Sequence, residues 1–169
     1  VKILIGERRL KVIASSPSLN QVDIKGSADV YLKGTIKGVD LTLNITSSGD
    51  IEAENLQYTN IFALVKGSGD IDLKNVKATT VVSEVNGSGD INMKGSAQKA
   101  TLTVNGSGDI SAEKLAATNV VATVAGSGDI VCYASGQLDA RVSGSGDIEY
   151  KGSPSVVNKQ GKKNSITGK

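Results

Sequence analysis

The chain has 169 residues, enough for one domain, and holds 20 glycines but only two prolines, four tyrosines, one phenylalanine and no tryptophan. It has no histidine, which excludes an imidazole base or metal ligand, and its few aromatics argue against a sugar- or base-stacking platform. A net charge of +2 from 19 basic and 17 acidic residues is too balanced to mark nucleic acid or an anionic membrane as a partner.

At the amino end, Val1, Ile3 and Ile5 alternate, then Leu10 and Val12, with Gly6-Glu7-Arg8-Arg9 between them. Residues 1–15 are therefore expected to be a strand pair capping the domain that begins at residue 16. The chain starts at Val1, not Met, so a processed terminus is expected and a missing export signal carries no weight. The single cysteine, Cys132, leaves the redox compartment open.

From residue 16 to 157 the chain repeats. Gly-Ser-Gly-Asp occurs five times, ending at Asp70, Asp90, Asp109, Asp129 and Asp147, after the degenerate copies Gly26-Ser27-Ala28-Asp29 and Ser47-Ser48-Gly49-Asp50. The seven Asp are spaced 21, 20, 20, 19, 20 and 18 residues apart, and these units hold 12 of the 20 glycines. After each Asp comes Val30, Ile51, Ile71, Ile91, Ile110, Ile130 or Ile148, and two further on Leu32, Ala53, Leu73, Met93, Ala112, Cys132 or Tyr150. Five before each Asp stand Ile24, Ile45, Val65, Val85, Val104, Val124 and Val142. Both sides keep period two, so each repeat holds two strands, one before and one after the glycine corner. A column repeated this faithfully predicts coils stacked about 4.8 Å apart. The fold expected is all-β: a single-stranded parallel β-helix of about seven coils of ~20 residues with two main sheets. Pro154 and the Lys-rich stretch 158–169 are expected to end the stack as a polar basic tail.

The expected turn residues are Gly67, Gly69, Gly87, Gly89, Gly106, Gly108, Gly126, Gly128, Gly144 and Gly146. Glycine reaches positive φ freely and lets corners stack closely. The Asp after each corner is expected to bond turn amides. The alternative is a calcium ladder over Asp70, Asp90, Asp109, Asp129 and Asp147, although each corner supplies only one carboxylate. A uniform ladder is a poor catalytic pair, which needs split environments. Cys132 falls in an inward column and is expected to be a core residue. No catalytic, cofactor-binding or metal residue is therefore assigned, and no cofactor. No apolar run approaches the ~18 residues of a membrane span. Outward columns after the corners carry mixed charge. Before the corners, Phe62, Leu64, Val82 and Val121 form an apolar stripe and a candidate interface, including one between copies.

Gly-Ser-Gly-Asp-Ile on a twenty-residue coil resembles the putative autotransporter-adhesin head domain, the GIN-domain family of exported bacterial proteins common in Bacteroidetes, over about residues 20–150. The resemblance implies a pectin-lyase-like β-helix and a role in adhesion. It also implies an oligomer similar to trimeric adhesin heads, exported to the cell surface, outer membrane or periplasm, and no catalytic residues. The expectation is a non-enzymatic interaction module whose partner is a surface glycan or protein. A carbohydrate-active β-helix enzyme and a structural or envelope-stress scaffold are the alternatives.

Overall fold

The computed structural model describes residues 2–5, 11–14, 18–162 and 164–169. The expected turn Gly6-Glu7-Arg8-Arg9, with Val1 and Leu10, lies outside the described residues. Twelve strands succeed one another with no helix among the described residues: β1 (Lys2–Ile5), β2 (Lys11–Ala14), β3 (Gln21–Ile24), β4 (Asp29–Ile45), β5 (Ile51–Val65), β6 (Ile71–Val85), β7 (Ile91–Val104), β8 (Ile110–Val124), β9 (Ile130–Val142), β10 (Ile148–Lys151), β11 (Val156–Gln160) and β12 (Ile166–Gly168). Every pairing is parallel, and each long strand pairs with the next in the chain. This is a β-solenoid of about eight turns, close to the seven expected.

A straight strand as long as β5, with 15 residues, would extend about 50 Å. Instead Ile51 lies beside Ile71 and Val65 beside Val85, so the chain has come round a full coil in between. The burial pattern shows where it bends. Ile51 and Ala53 point inward, then Glu54 and Asn55 both face away from the core. Leu56 and Tyr58 point inward, then Thr59 and Asn60 face away, and Ile61, Ala63 and Val65 resume the alternation. The two expected sheets thus flank the glycine corner, and a short third face joins their far ends. Ile36, Leu56, Val76 and Leu115 supply its buried side chains. Tyr58 closes one end of it by donating its hydroxyl to the Leu19 carbonyl at 2.5 Å. Desolvation pushes the Tyr58 hydroxyl up to about 12.

The core consists of inward columns of Ile, Val, Leu and Ala running the length of the stack. Ser83 interrupts one column fully buried, and its hydroxyl donates to Met93 Sδ at 3.2 Å. Cys132 lies in the same interior, and burial raises its thiol to about 12, so it stays protonated and unreactive.

The two ends differ from the sequence expectation. β1 lies on β3 and β2 on β4, so these strands stack on the solenoid as parts of a further coil. At the other end, residues 158–169 are not a free tail. β11 pairs with β9 and β12 with β10, and Ser155 donates its amide to Gly136 at 2.7 Å. The Ser165 carbonyl accepts the Ile148 amide at 2.8 Å, as the Asp147 carbonyl accepts that of Ile130. The last coil is hidden in the sequence because its inward column is interrupted, although Val157 lies beside Leu138 and Ile166 beside Ile148. Lys159 stands beside Ala140, and Gly161 sits over Val142. The Lys159 ammonium turns over the end of the core, donates to the Ile166 carbonyl at 3.2 Å and lies 4.9 Å from the Tyr150 ring centre.

Candidate interaction surface

Coil stacking begins at the corners. A Cβ on any of the ten expected turn glycines would lie 1.9–2.1 Å from a backbone oxygen of the preceding coil. Positive φ is not the reason for these glycines. Among the described residues it occurs at Gly34, Gly95 and Gly152 and at Asn164, none of them in a Gly-Ser-Gly corner. The requirement is contact: Ser88 donates its amide to the Gly67 carbonyl at 2.9 Å, and only hydrogen at Cα fits beneath that approach.

The Asp column is tied into the same stack. Asp70 Oδ1 accepts the Asp90 amide at 2.7 Å, Asp90 Oδ1 the Asp109 amide at 2.8 Å, and Asp109 Oδ1 the Asp129 amide at 2.7 Å. The bonds from Asp50 to Asp29 and from Asp147 to Asp129 continue the series at 3.1 and 2.7 Å. Each carboxylate from Asp29 to Asp129 therefore satisfies the backbone amide of the next Asp in the column. Among the described residues no three Asp, Glu or Cys converge to hold a metal ion. Asp90→Asn keeps the acceptor and is expected to hold stability within about 0.5 kcal/mol, whereas Asp90→Ala should cost about 1 kcal/mol. Urea melts with and without calcium measure this, and melting that rises with calcium would put metal on the ladder instead.

The face after the corners is laced by ion pairs between coils. Lys74 bonds Glu52, Lys151 bonds Glu113, and Lys169 meets Glu149 at 2.7 Å. The hydrogen bond with Glu52 raises the Lys74 ammonium, and that with Lys151 lowers the Glu113 carboxyl. This face carries mixed charge, and the ion pairs cover only part of it, since Asp72 Oδ1 is buried there without a hydrogen-bond partner.

The face before the corners is different. Thr42, Phe62, Val82, Thr101, Val121 and Asp139 succeed one another in register down one outward column. Asn44, Leu64, Glu84, Thr103, Thr123 and Arg141 form the next. The stack brings Phe62, Leu64 and Val82 together on adjacent coils. It leaves Val121 beyond Thr101, at the edge of a separate cleft. Phe62 is 40% exposed, which is high for the one phenylalanine in the chain.

That second cleft, about 220 Å³, is lined by Val121, Thr123, Asp139, Arg141, Asn158 and Gln160, with Ala140 at its base. Sequence reasoning reads Asp139 and Arg141 only as outward residues and puts Asn158 and Gln160 in the tail. The signal is present in the alternation of β11, but Lys159 and Gly161 at inward positions hide it.

Residues 3–154 match the family described as putative auto-transporter adhesin, head GIN domain. The chain belongs to this family. Among solved structures, a putative lipid binding protein from Parabacteroides distasonis is similar to this GIN head with a TM-score of 0.80 and 29% identity. That match covers 90% of this chain and 61% of the other, so the GIN head spans about three-fifths of that protein's length. A putative adhesin from Bacteroides fragilis shares the fold with a TM-score of 0.67 at 23% identity, over 99% of this chain and 89% of its own. No curated protein matches the chain.

Proposed function

We propose that this GIN head is a non-enzymatic adhesion module of an exported, cell-surface protein, acting through the outer face of the strands that precede the corners. The observation that carries the reading is Phe62, 40% exposed beside Leu64 and Val82 on a rigid stack. An apolar patch on an ordered surface is most useful where another surface covers it. Membership of a family of adhesin heads supports the reading, and so does a chain without histidine whose carboxylate ladder is spent on backbone amides. The covering surface is a second copy of the chain, as in a trimeric head, while the ligand is a glycan or protein of the surface being held. Residues 16–157 are the unit that carries this role, with the end coils closing it.

Phe62→Asp is expected to move the purified protein toward monomer in light scattering, with its melting temperature unchanged because the side chain is outside the core. An unchanged mass would defeat the contact between copies. A glycan and extracellular-matrix array identifies the ligand class. A vesicle flotation arm covers the lipid binding named for the Parabacteroides relative.

A further inference from the structure

The outward columns before the corners change character at β9. Upstream the first column is Thr, Phe and Val and the second mixes Asn44, Leu64 and Glu84 with threonines; at β9 and β11 they become Asp139 and Asn158, with Arg141 and Gln160 two residues on. Register puts Thr123 on one side of Arg141 and Gln160 on the other, each about 4.8 Å away along the stack. Asp139 is already occupied: Gln137 Nε2 donates to its Oδ2 at 2.8 Å and Asn158 Nδ2 to its Oδ1 at 2.5 Å. The guanidinium of Arg141 has no hydrogen bond or ion pair with any described residue, though an acid stands two residues away. It is exposed at a 220 Å³ cleft with its donors unused.

We propose that this cleft binds a sugar acid, with its carboxylate on Arg141. A planar guanidinium fork matches a carboxylate bidentately, and such charge-assisted pairs are the strong ones. Around it stand the Thr123 hydroxyl, the Gln160 amide and the Asn158 carbonyl oxygen. These give donors and acceptors in the mixture that ring hydroxyls need. Val121 supplies a small apolar floor for ring carbons, and the volume suits one pyranose unit. An acidic peptide fits less well. Its backbone would be drawn to the outer edge of β11, which pairs only with β9 among the described residues, whereas the cleft opens on the outward face over β9, whose edges β8 and β11 already fill. A sugar acid needs no edge, only the outward side chains. The site is independent of the Phe62 contact, so Phe62→Asp leaves it intact.

The test is an NMR titration of the whole domain with methyl glucuronide, with methyl glucoside and a blocked Gly-Asp-Gly peptide as comparisons. Glucuronide is expected to shift the amides of Thr123, Arg141 and Gln160 and to bind at least about tenfold more tightly than glucoside, the value of one charged hydrogen bond. Arg141→Gln should weaken it by a similar factor without changing the melting temperature, and Arg141→Lys, which keeps charge but loses the fork, should recover only part. Equal binding of glucoside, shifts that map elsewhere, or affinity indifferent to Arg141→Gln would overturn the assignment. So would binding of the peptide alone, or no shift with glucuronide at any attainable concentration.

Discussion

Gly89→Ala is expected to cost about 3 kcal/mol or more and to leave much of the protein insoluble or unfolded. The added Cβ would lie 2.1 Å from the Gly69 carbonyl oxygen and 2.8 Å from its carbon. Both are backbone atoms of the preceding coil, so no side chain can rotate away. Relief requires the two coils to part, which breaks the corner bonds there, among them the amide that Asp90 donates to Asp70. The damage lies mid-stack. Coils that bury apolar surface only against their neighbours lose that coupling on both sides of the break. A loss this large is a substantial part of the roughly 5–15 kcal/mol that holds a typical domain together. Ser88→Ala, one residue away and exposed, is the control and should melt with the parent protein. Circular dichroism and urea titration of the pair read the difference. A Gly89→Ala protein melting within about 1 kcal/mol of the parent would mean that the coils stand far enough apart to admit a Cβ.

The second large effect is expected at Leu56. Leu56→Ala should destabilise the domain by about 2–5 kcal/mol, because it removes a fully buried side chain that its close-packed neighbours cannot replace. Asn55→Ala and Gln57→Ala, which point outward on either side, should stay within about 0.5 kcal/mol. The triplet distinguishes a coil with three faces from a flattened coil with two. In the flattened coil, residues 54–60 would merely connect the sheets and all three substitutions would be mild. Equal, small losses at the three positions would rule out the third face.

The third face illustrates what local pattern leaves hidden. The alternation on either side of each Gly-Ser-Gly corner is uninterrupted from Ile61 to Val65 and from Ile71 to Leu73, so both faces there can be read directly. Between Ala53 and Ile61 the phase slips twice, at Glu54-Asn55 and at Thr59-Asn60. Each slip makes the intervening apolar residues look unpatterned. In the repeat that contains Gly95, the middle inward position has no side chain at all. The last coil is obscured for a related reason. Lys159 and Gly161 stand where an apolar column is expected, and the Lys159 ammonium lies over the Tyr150 ring there.

Glycine count, repeat length and period-two columns are enough to specify the class of fold, the parallel stacking, the corners and the inward residues that flank them. These features recur every twenty residues and depend on neighbours in the chain. The reason the corners are glycine emerges only from the stacked coils. Backbone clearance between them excludes a Cβ, and a requirement for positive φ does not enter. The purpose of the aspartates emerges in the same way, since an Oδ1 meeting an amide twenty residues away is a property of register. So does the place where the outer face becomes chemically distinct. Arg141, Asn158 and Gln160 converge there because β11 lies on β9, a juxtaposition that only stacking creates.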